Sequence, residues 1–266
     1  MRAAFYYPWF PETWGDPQDP FSRYSPSLGH YHSDDPKVVA AHIEAMQYGQ
    51  IDVGIASWWG RASITDGRLP LLLATAGDAA FWWTIYYEEE GSTDPTVEQI
   101  AADLQYIAGS YSTHPRFYRI DGQFVVFVYA DGQDGCEMVD RWVDANQHEN
   151  AYIVLKVFQG YRDCPNQPND WHQYAPARAA DAQLGFSYTI SPGFHRADEG
   201  APRLERELDR WNQAIRDMIA SEAPFQLITT FNEWGEGSAV ESAAEWQSES
   251  GYGRFLDALH HNGQPP

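Results

Sequence analysis

Lysine is nearly missing from this chain, occurring only at Lys37 and Lys156, and 17 basic residues stand against 38 acidic ones, for a formal charge of −21 at pH 7. So acidic a surface repels polyphosphate and anionic lipid, which excludes nucleic acid and membrane surfaces as partners and favours a neutral or cationic ligand. Cysteine is equally scarce. Cys136 and Cys164 are too few for a disulfide framework and read first as two unpaired thiols, with a bond between them as the other reading. No cysteine or histidine spacing suits a metal, and His30 and His32 lie in a polar loop. No apolar run approaches the roughly 18 to 20 residues of a membrane span. The N-terminus "MRAAFYYPWF" lacks a long apolar core and a cleavage site and reads as a strand. The chain as written is therefore expected to be cytoplasmic, and secreted only if a leader preceded it.

What is present is a recurrence of short apolar runs rich in β-formers: Arg2 to Tyr7, Ile51 to Trp58, Phe81 to Tyr87, Phe124 to Tyr129, Tyr152 to Val157, Leu184 to Ile190 and Phe225 to Phe231. Near-continuous apolar runs suit parallel strands buried on both faces. An eighth strand is expected in "NDWHQYAP", residues 169 to 176. Helices are predicted between them: from Asp35-Pro36 to about Tyr48, from Asp94-Pro95 with a stripe of Val97, Ile100, Leu104 and Ile107, after Pro202 with Leu204, Leu208, Trp211 and Ile215, and from Tyr252 to His261. This alternation fits a barrel or a doubly wound sheet. No G-x-G-x-x-G or P-loop follows any strand, and polar and aromatic residues gather at the C-terminal strand ends. The expected fold is α/β, a single (β/α)8 TIM barrel spanning residues 1–266 as one domain.

The last of those ends, "TTFNEWGEGSAVE", sets Glu233 and Glu236 three residues apart beside Asn232 and Trp234. Two carboxyl groups are what glycosidic bond cleavage needs, one to give a proton and one to act as base or nucleophile. Mutual repulsion in a shared cleft pushes one towards its protonated form. Aromatic residues make up 15% of the chain, and indole and phenol faces stack on the C–H faces of sugars. Tyr6, Tyr7, Trp9, Trp58, Trp59, Tyr87, Tyr129 and Trp234 fall at or near the strand ends and are candidate substrate contacts. About half of the strand-end aromatics are expected to reach the cleft, because alternate strand residues point to opposite faces. Trp82 and Trp83 read as packing residues. In "YYEEEG", Glu88 is the first polar position after its strand and the member expected to reach a ligand, with Glu89 and Glu90 solvated. His195 is a candidate for binding a hydroxyl or relaying a proton, and Asp131 and Asp134 read as turn residues.

Several phrases resemble glycoside hydrolase family 99, whose members are endo-α-mannosidases and endo-α-mannanases: "FYYPWF", "GIASWWG", "LPLLL", "STHPRFYRIDGQFVVFVY" and "FNEWGEGSAVE", in the family's order over most of the chain. The resemblance implies a (β/α)8 barrel and hydrolysis with retention of configuration through a 1,2-anhydro sugar, with Glu233 as general base on the sugar 2-hydroxyl and Glu236 as general acid. It implies no metal or organic cofactor. The expected partner is an oligosaccharide or polysaccharide, and the expected state a monomer or weak homo-oligomer. Two departures stand out. Gly235 occupies the place where the family has histidine, and "IYYEEEG" replaces a His-Ile-Glu-Pro-Tyr phrase, so that Glu88 takes the place of a site glutamate. Two other readings stay open: a polysaccharide-processing enzyme with a non-mannose substrate, and a non-catalytic carbohydrate-binding barrel.

Overall fold

The computed structural model describes residues 1–16 and 19–265. Eight of the strands among the described residues form the barrel, in chain order β1 Arg2–Tyr6, β2 Val53–Trp58, β3 Trp82–Tyr87, β4 Gln123–Val128, β5 Tyr152–Lys156, β6 Asp170–His172, β7 Ser187–Ile190 and β8 Phe225–Ile228. Neighbours are parallel from β1 through β6, with Ala3 opposite Val53, Val53 opposite Trp82 and Val154 opposite Asp170. On the other side β1 pairs with β8, Ala3 opposite Leu227, and β8 with β7. The seam between β6 and β7 is crossed by a side chain, the Thr189 hydroxyl donating to the Gln173 carbonyl at 2.7 Å. The result is the expected barrel, and its sixth strand lies within "NDWHQYAP".

Two apolar layers follow from strand alternation. Phe5 packs on Tyr86 at 4.7 Å and on His172 at 5.9 Å, and Phe127 packs on Phe225 at 5.4 Å. These residues come from strands that are not neighbours, so their side chains fill the barrel interior. The opposite parity, including Tyr6, Trp58, Trp83 and Tyr87, joins the larger layer shared with the helices.

Six helices cover the barrel: α1 Pro36–Tyr48, α2 Ile64–Ala76, α3 Val97–Ser110, α4 Cys136–Ala145, α5 Leu208–Ala220 and α6 Arg254–His260. Asp35 caps α1 by accepting from Lys37 N at 2.8 Å, with Pro36 in the first turn as expected. The second expected start moves. Asp94 adopts a left-handed conformation closing the short helix Glu90–Thr93, and the Thr96–Gln99 capping box opens α3. The third start moves further, because Leu204 bridges to Phe194 and α5 begins only at Leu208. Leu208 is partly exposed, and the buried stripe is Trp211, Ala214, Ile215 and Met218. Helix α2 carries Pro70 inside it and α4 buries Met138, Val139, Trp142 and Ala145; neither was expected.

The barrel is incomplete in its helical layer. A single 3-10 turn, Tyr161–Asp163, follows β5, and the strand Ala180–Gln183 folds back antiparallel on β7 where a helix would follow β6. Leu184, expected to begin a strand, is instead at the exposed turn of that hairpin. The two cysteines are a correction: Cys136 and Cys164 are joined as a disulfide, with Cα atoms 5.3 Å apart, tying the start of α4 to the helix-poor segment after β5. No helix among the described residues is long and apolar enough to cross a membrane.

Candidate active site

A cleft of about 730 Å3 opens at the C-terminal ends of the strands. Its floor is built by the segment that leaves β8. Thr230 N donates to the Ser238 carbonyl at 3.0 Å, and Glu233 N donates to Thr230 Oγ1 at 2.8 Å, so residues 230–238 close into a loop. Asn232 ties that loop to the end of β1: its Oδ1 accepts from Tyr7 N at 2.7 Å and its Nδ2 donates to Tyr7 O at 3.1 Å. Gly237 has φ of +64°, and a Cβ there would lie 2.4 Å from the His195 carbonyl oxygen, so only glycine suits this close approach.

This geometry brings Glu233 and Glu236 to one wall of the cleft. Glu233 is 4% exposed, and its Oε1 accepts from Glu236 N at 3.1 Å. Glu236 Oε2 accepts from the Tyr174 hydroxyl at 2.7 Å, and Tyr174 in turn accepts from Tyr7 at 3.0 Å. Glu88 lies in the same cleft. One oxygen each of Glu88 and Glu233 is buried without a hydrogen-bond partner. No basic side chain among the described residues pairs with any of the three within 4.0 Å.

Unpaired carboxyl groups in a desolvated cleft hold their protons. Burial pushes Glu88 up to about 8, with the charge of Glu236 adding to the effect. Burial, then Glu236, raises Glu233 well above the ordinary carboxylate range. Burial raises Glu236 too, opposed by the Tyr174 hydroxyl and by the charges of Arg196 and Arg203. Both carboxyl groups are thus held above the ordinary carboxylate range and each opposes the ionisation of the other, an arrangement that favours one acid and one base in the same cleft.

The high proton affinity of Glu88 makes stability depend on pH. Its folded form prefers the proton, so its contribution is fully present below about pH 4.5 and is lost as pH rises through about 8. A tenfold change in proton affinity is worth about 1.4 kcal/mol, which puts the whole effect at a few kcal/mol. Glu88→Gln is expected to melt close to the parent at pH 4 and clearly above it at pH 9. Parallel melting curves for the two proteins across that range would contradict the assignment.

Of the residues singled out from sequence, Tyr7, Trp9, Trp59, Glu88, Tyr129, Glu233 and Glu236 line the cleft. Others lie elsewhere for reasons of strand parity. Tyr6 faces α1, hydrogen-bonding His42 Nδ1 at 3.0 Å; Trp58 donates to Asp66 Oδ1 at 2.8 Å; Tyr87 donates to Asp103 Oδ2 at 2.9 Å. Asn232 serves the backbone. Trp234 is wholly buried, its indole donating to Tyr31 Oη at 3.1 Å and to Glu241 Oε2 at 3.2 Å. His195 contributes its amide to the Glu236 carbonyl, while its ring reaches the Glu199 carbonyl at 3.2 Å. Glu90 is buried and bonded to Arg141 and to Trp142 Nε1, a correction to the solvated reading. Asp131 and Asp134 cap backbone amides of their own turn. Glu90, Asp94 and Asp134 approach one another closely, but the Arg141 guanidinium already supplies the positive charge there.

The cleft also holds Tyr86, Tyr174, Phe21 and Arg196, which were not foreseen. Tyr86 was legible, since Glu88 and Tyr86 share one face of β3 and must reach the same side. Tyr174 follows from His172 by the same rule. Phe21 carries no local signal; it is placed by the loop after β1. That loop is clasped to the loop after β7 by Arg23, which donates to the carbonyls of Ala197 at 3.1 Å and Glu199 at 2.6 Å.

Comparison with known proteins gives a consistent result. The sequence model of glycosyl hydrolase family 99 matches residues 4–145. The glycoprotein endo-α-1,2-mannosidase of Mus musculus is 30% identical over 271 residues, covering 85% of this chain and 58% of that protein. A human glycoprotein endo-α-1,2-mannosidase-like protein is 21% identical over 300 residues, covering 92% and 62%. The chain thus spans 58 to 62% of the length of these relatives. Among solved structures, the GH99 endo-α-mannosidase from Bacteroides thetaiotaomicron in complex with bis-tris propane shares the fold with a TM-score of 0.76 at 20% identity, covering 98% of this chain and 94% of that one.

Proposed function

The chain belongs to glycosyl hydrolase family 99, and on that footing we propose that it is a retaining glycoside hydrolase acting on an α-linked, mannoside-like sugar through the sugar's own 2-hydroxyl. The observation that carries this reading is the placement of buried Glu233 and half-buried Glu236 side by side on the cleft wall, with no basic side chain among the described residues within 4.0 Å of either. In the first step the Glu233 carboxylate takes the 2-hydroxyl proton and O2 attacks C1. The bond from C1 to the leaving oxygen breaks, and that oxygen takes the proton of Glu236. A raised proton affinity on Glu233 suits it to a weakly acidic hydroxyl. In the second step Glu236, now a carboxylate, takes a proton from water as it attacks C1, the C1–O2 bond breaks, and O2 recovers its proton from Glu233. Two inversions give net retention. Tyr174 holds the Glu236 carboxylate in place between the steps, and protonated Glu88 donates to a sugar hydroxyl.

The test is a panel of α- and β-linked glycans followed by NMR from the first turnover. The α-anomer is expected as the first product of an α-linked substrate, and the matching 2-deoxy glycoside is expected to resist cleavage. A β-configured first product, or brisk cleavage of the 2-deoxy substrate, would exclude the anhydro-sugar route.

A further inference from the structure

Gly235 stands between the two glutamates, and the space its side chain would take is already filled. A Cβ at that position would lie 2.4 Å from Phe21 Cζ, 2.6 Å from Phe21 Cε2 and 2.9 Å from Glu233 Oε1. The ring edge of Phe21 and the carboxylate of Glu233 therefore flank the same point. Phe21 comes from a distant part of the chain and is held there by its own loop, whose amide donates to the Trp14 carbonyl at 3.4 Å and whose Arg23 clasps the rim opposite. Trp9 stands edge-on to it at 6.3 Å, and Tyr7 packs against Trp9 at 4.6 Å. Beside Glu233 the cleft thus offers an aromatic hydrocarbon surface with no hydrogen-bonding group from residue 235.

We propose that Phe21, seated over Gly235, is a specificity-determining residue: it presents an apolar edge to the sugar engaged by Glu233 and selects a ring position that carries no hydroxyl needing a partner there. This rests on the glycosidase reading of Glu233. A hydroxyl forced against the ring loses its bonds to water without replacement, whereas a C–H or methyl group gains contact. The expected discrimination is roughly tenfold to a hundredfold, the range that a hydrophobic pocket achieves. Phe21 also keeps water from Glu233, in line with burial as the main cause of that residue's raised proton affinity.

The experiment measures binding of methyl α-mannoside and its monodeoxy analogues by calorimetry, and hydrolysis of the corresponding aryl glycosides, for the parent, Phe21→Ala, Gly235→Ala and the double variant. The parent is expected to favour one monodeoxy analogue, and Phe21→Ala to erase that preference by about tenfold or more. Gly235→Ala is expected to lose binding, which returns in large part in the Phe21→Ala background because the two closest contacts, with Phe21 Cζ and Cε2, are gone and only the 2.9 Å approach to Glu233 Oε1 remains; this recovery separates local displacement from misfolding. If Phe21→Ala rescales all analogues equally, or Gly235→Ala does equal harm in both backgrounds, the role of Phe21 is overturned. If the parent binds with the expected preference but hydrolyses none of the aryl glycosides, the reading of Glu233 as a catalytic base fails while the selectivity of Phe21 stands.

Discussion

Replacing Glu233 or Glu236 by glutamine will lower turnover by roughly a thousandfold or more, within or above the range for removal of a general acid or base. Glutamine keeps the shape of each side chain and an oxygen to accept from Tyr174 or from the Glu236 amide, so ligand affinity should change only a few fold. The two variants should differ in a diagnostic way. A leaving group that departs without a proton, such as a nitrophenolate, relieves the need for Glu236 in the first step. Glu236→Gln is therefore expected to release an initial burst of nitrophenolate, while Glu233→Gln gives none, since no leaving group replaces a base at the 2-hydroxyl. Steady-state and burst kinetics on aryl and alkyl glycosides would show this. Equal rates for both variants and the parent would refute the mechanism.

The largest stability effect is expected at Glu241, which is 3% exposed and lies just beyond the loop that carries Glu233 and Glu236. Its Oε2 accepts from the Tyr31 hydroxyl at 2.8 Å and from the Trp234 indole, and its Oε1 lies 3.2 Å from His42 Nε2. His42 in turn meets Tyr6, and Tyr31 receives a hydrogen bond from Asn232 at 3.3 Å. Glu241→Ala leaves several buried polar groups short of a partner at once and is expected to cost about 3 to 5 kcal/mol. For a chain of this size that corresponds to a drop in Tm of about 10 °C. Glu241→Gln preserves two acceptances and should lose less. A change below about 1 kcal/mol in Glu241→Ala on denaturant unfolding would show that the network is not stabilising.

Much of this architecture could be read in the sequence because a parallel barrel strand is buried on both faces and stands out as an apolar run. That Glu233 and Glu236 line the cleft could be read for a similar reason, since polar residues directly after such a run fall at the open end of the barrel. What sequence did not resolve is which parity faces inward. Tyr6, Trp58 and Tyr87 look as suitable as Tyr7, Trp59 and Tyr86, and one residue of register separates the cleft from the helical layer. The burial of Glu90 depends on Arg141, 51 residues later, and the disulfide on the approach of two segments that nothing local brings together. Helix α2 was hidden by Pro70, and the start of α5 by a stretch with helical spacing whose Leu204 pairs across to Phe194 instead. Phe21 was the hardest to foresee, because its partner Gly235 signals only an absence.

The pairing of β1 with β8 has a consequence for how the molecule is made. Residues 2–4 have their partners at 226–228, so β1 waits with an open edge until β8, the last strand of the barrel, has been synthesised. Such long-range closure is slow, and partly built barrels expose strand edges that invite aggregation. The two glutamates follow the closing strand by only a few residues. The pair of glutamates is thus the last part of the cleft to be placed, and truncated products of translation should carry much of the aromatic surface without it.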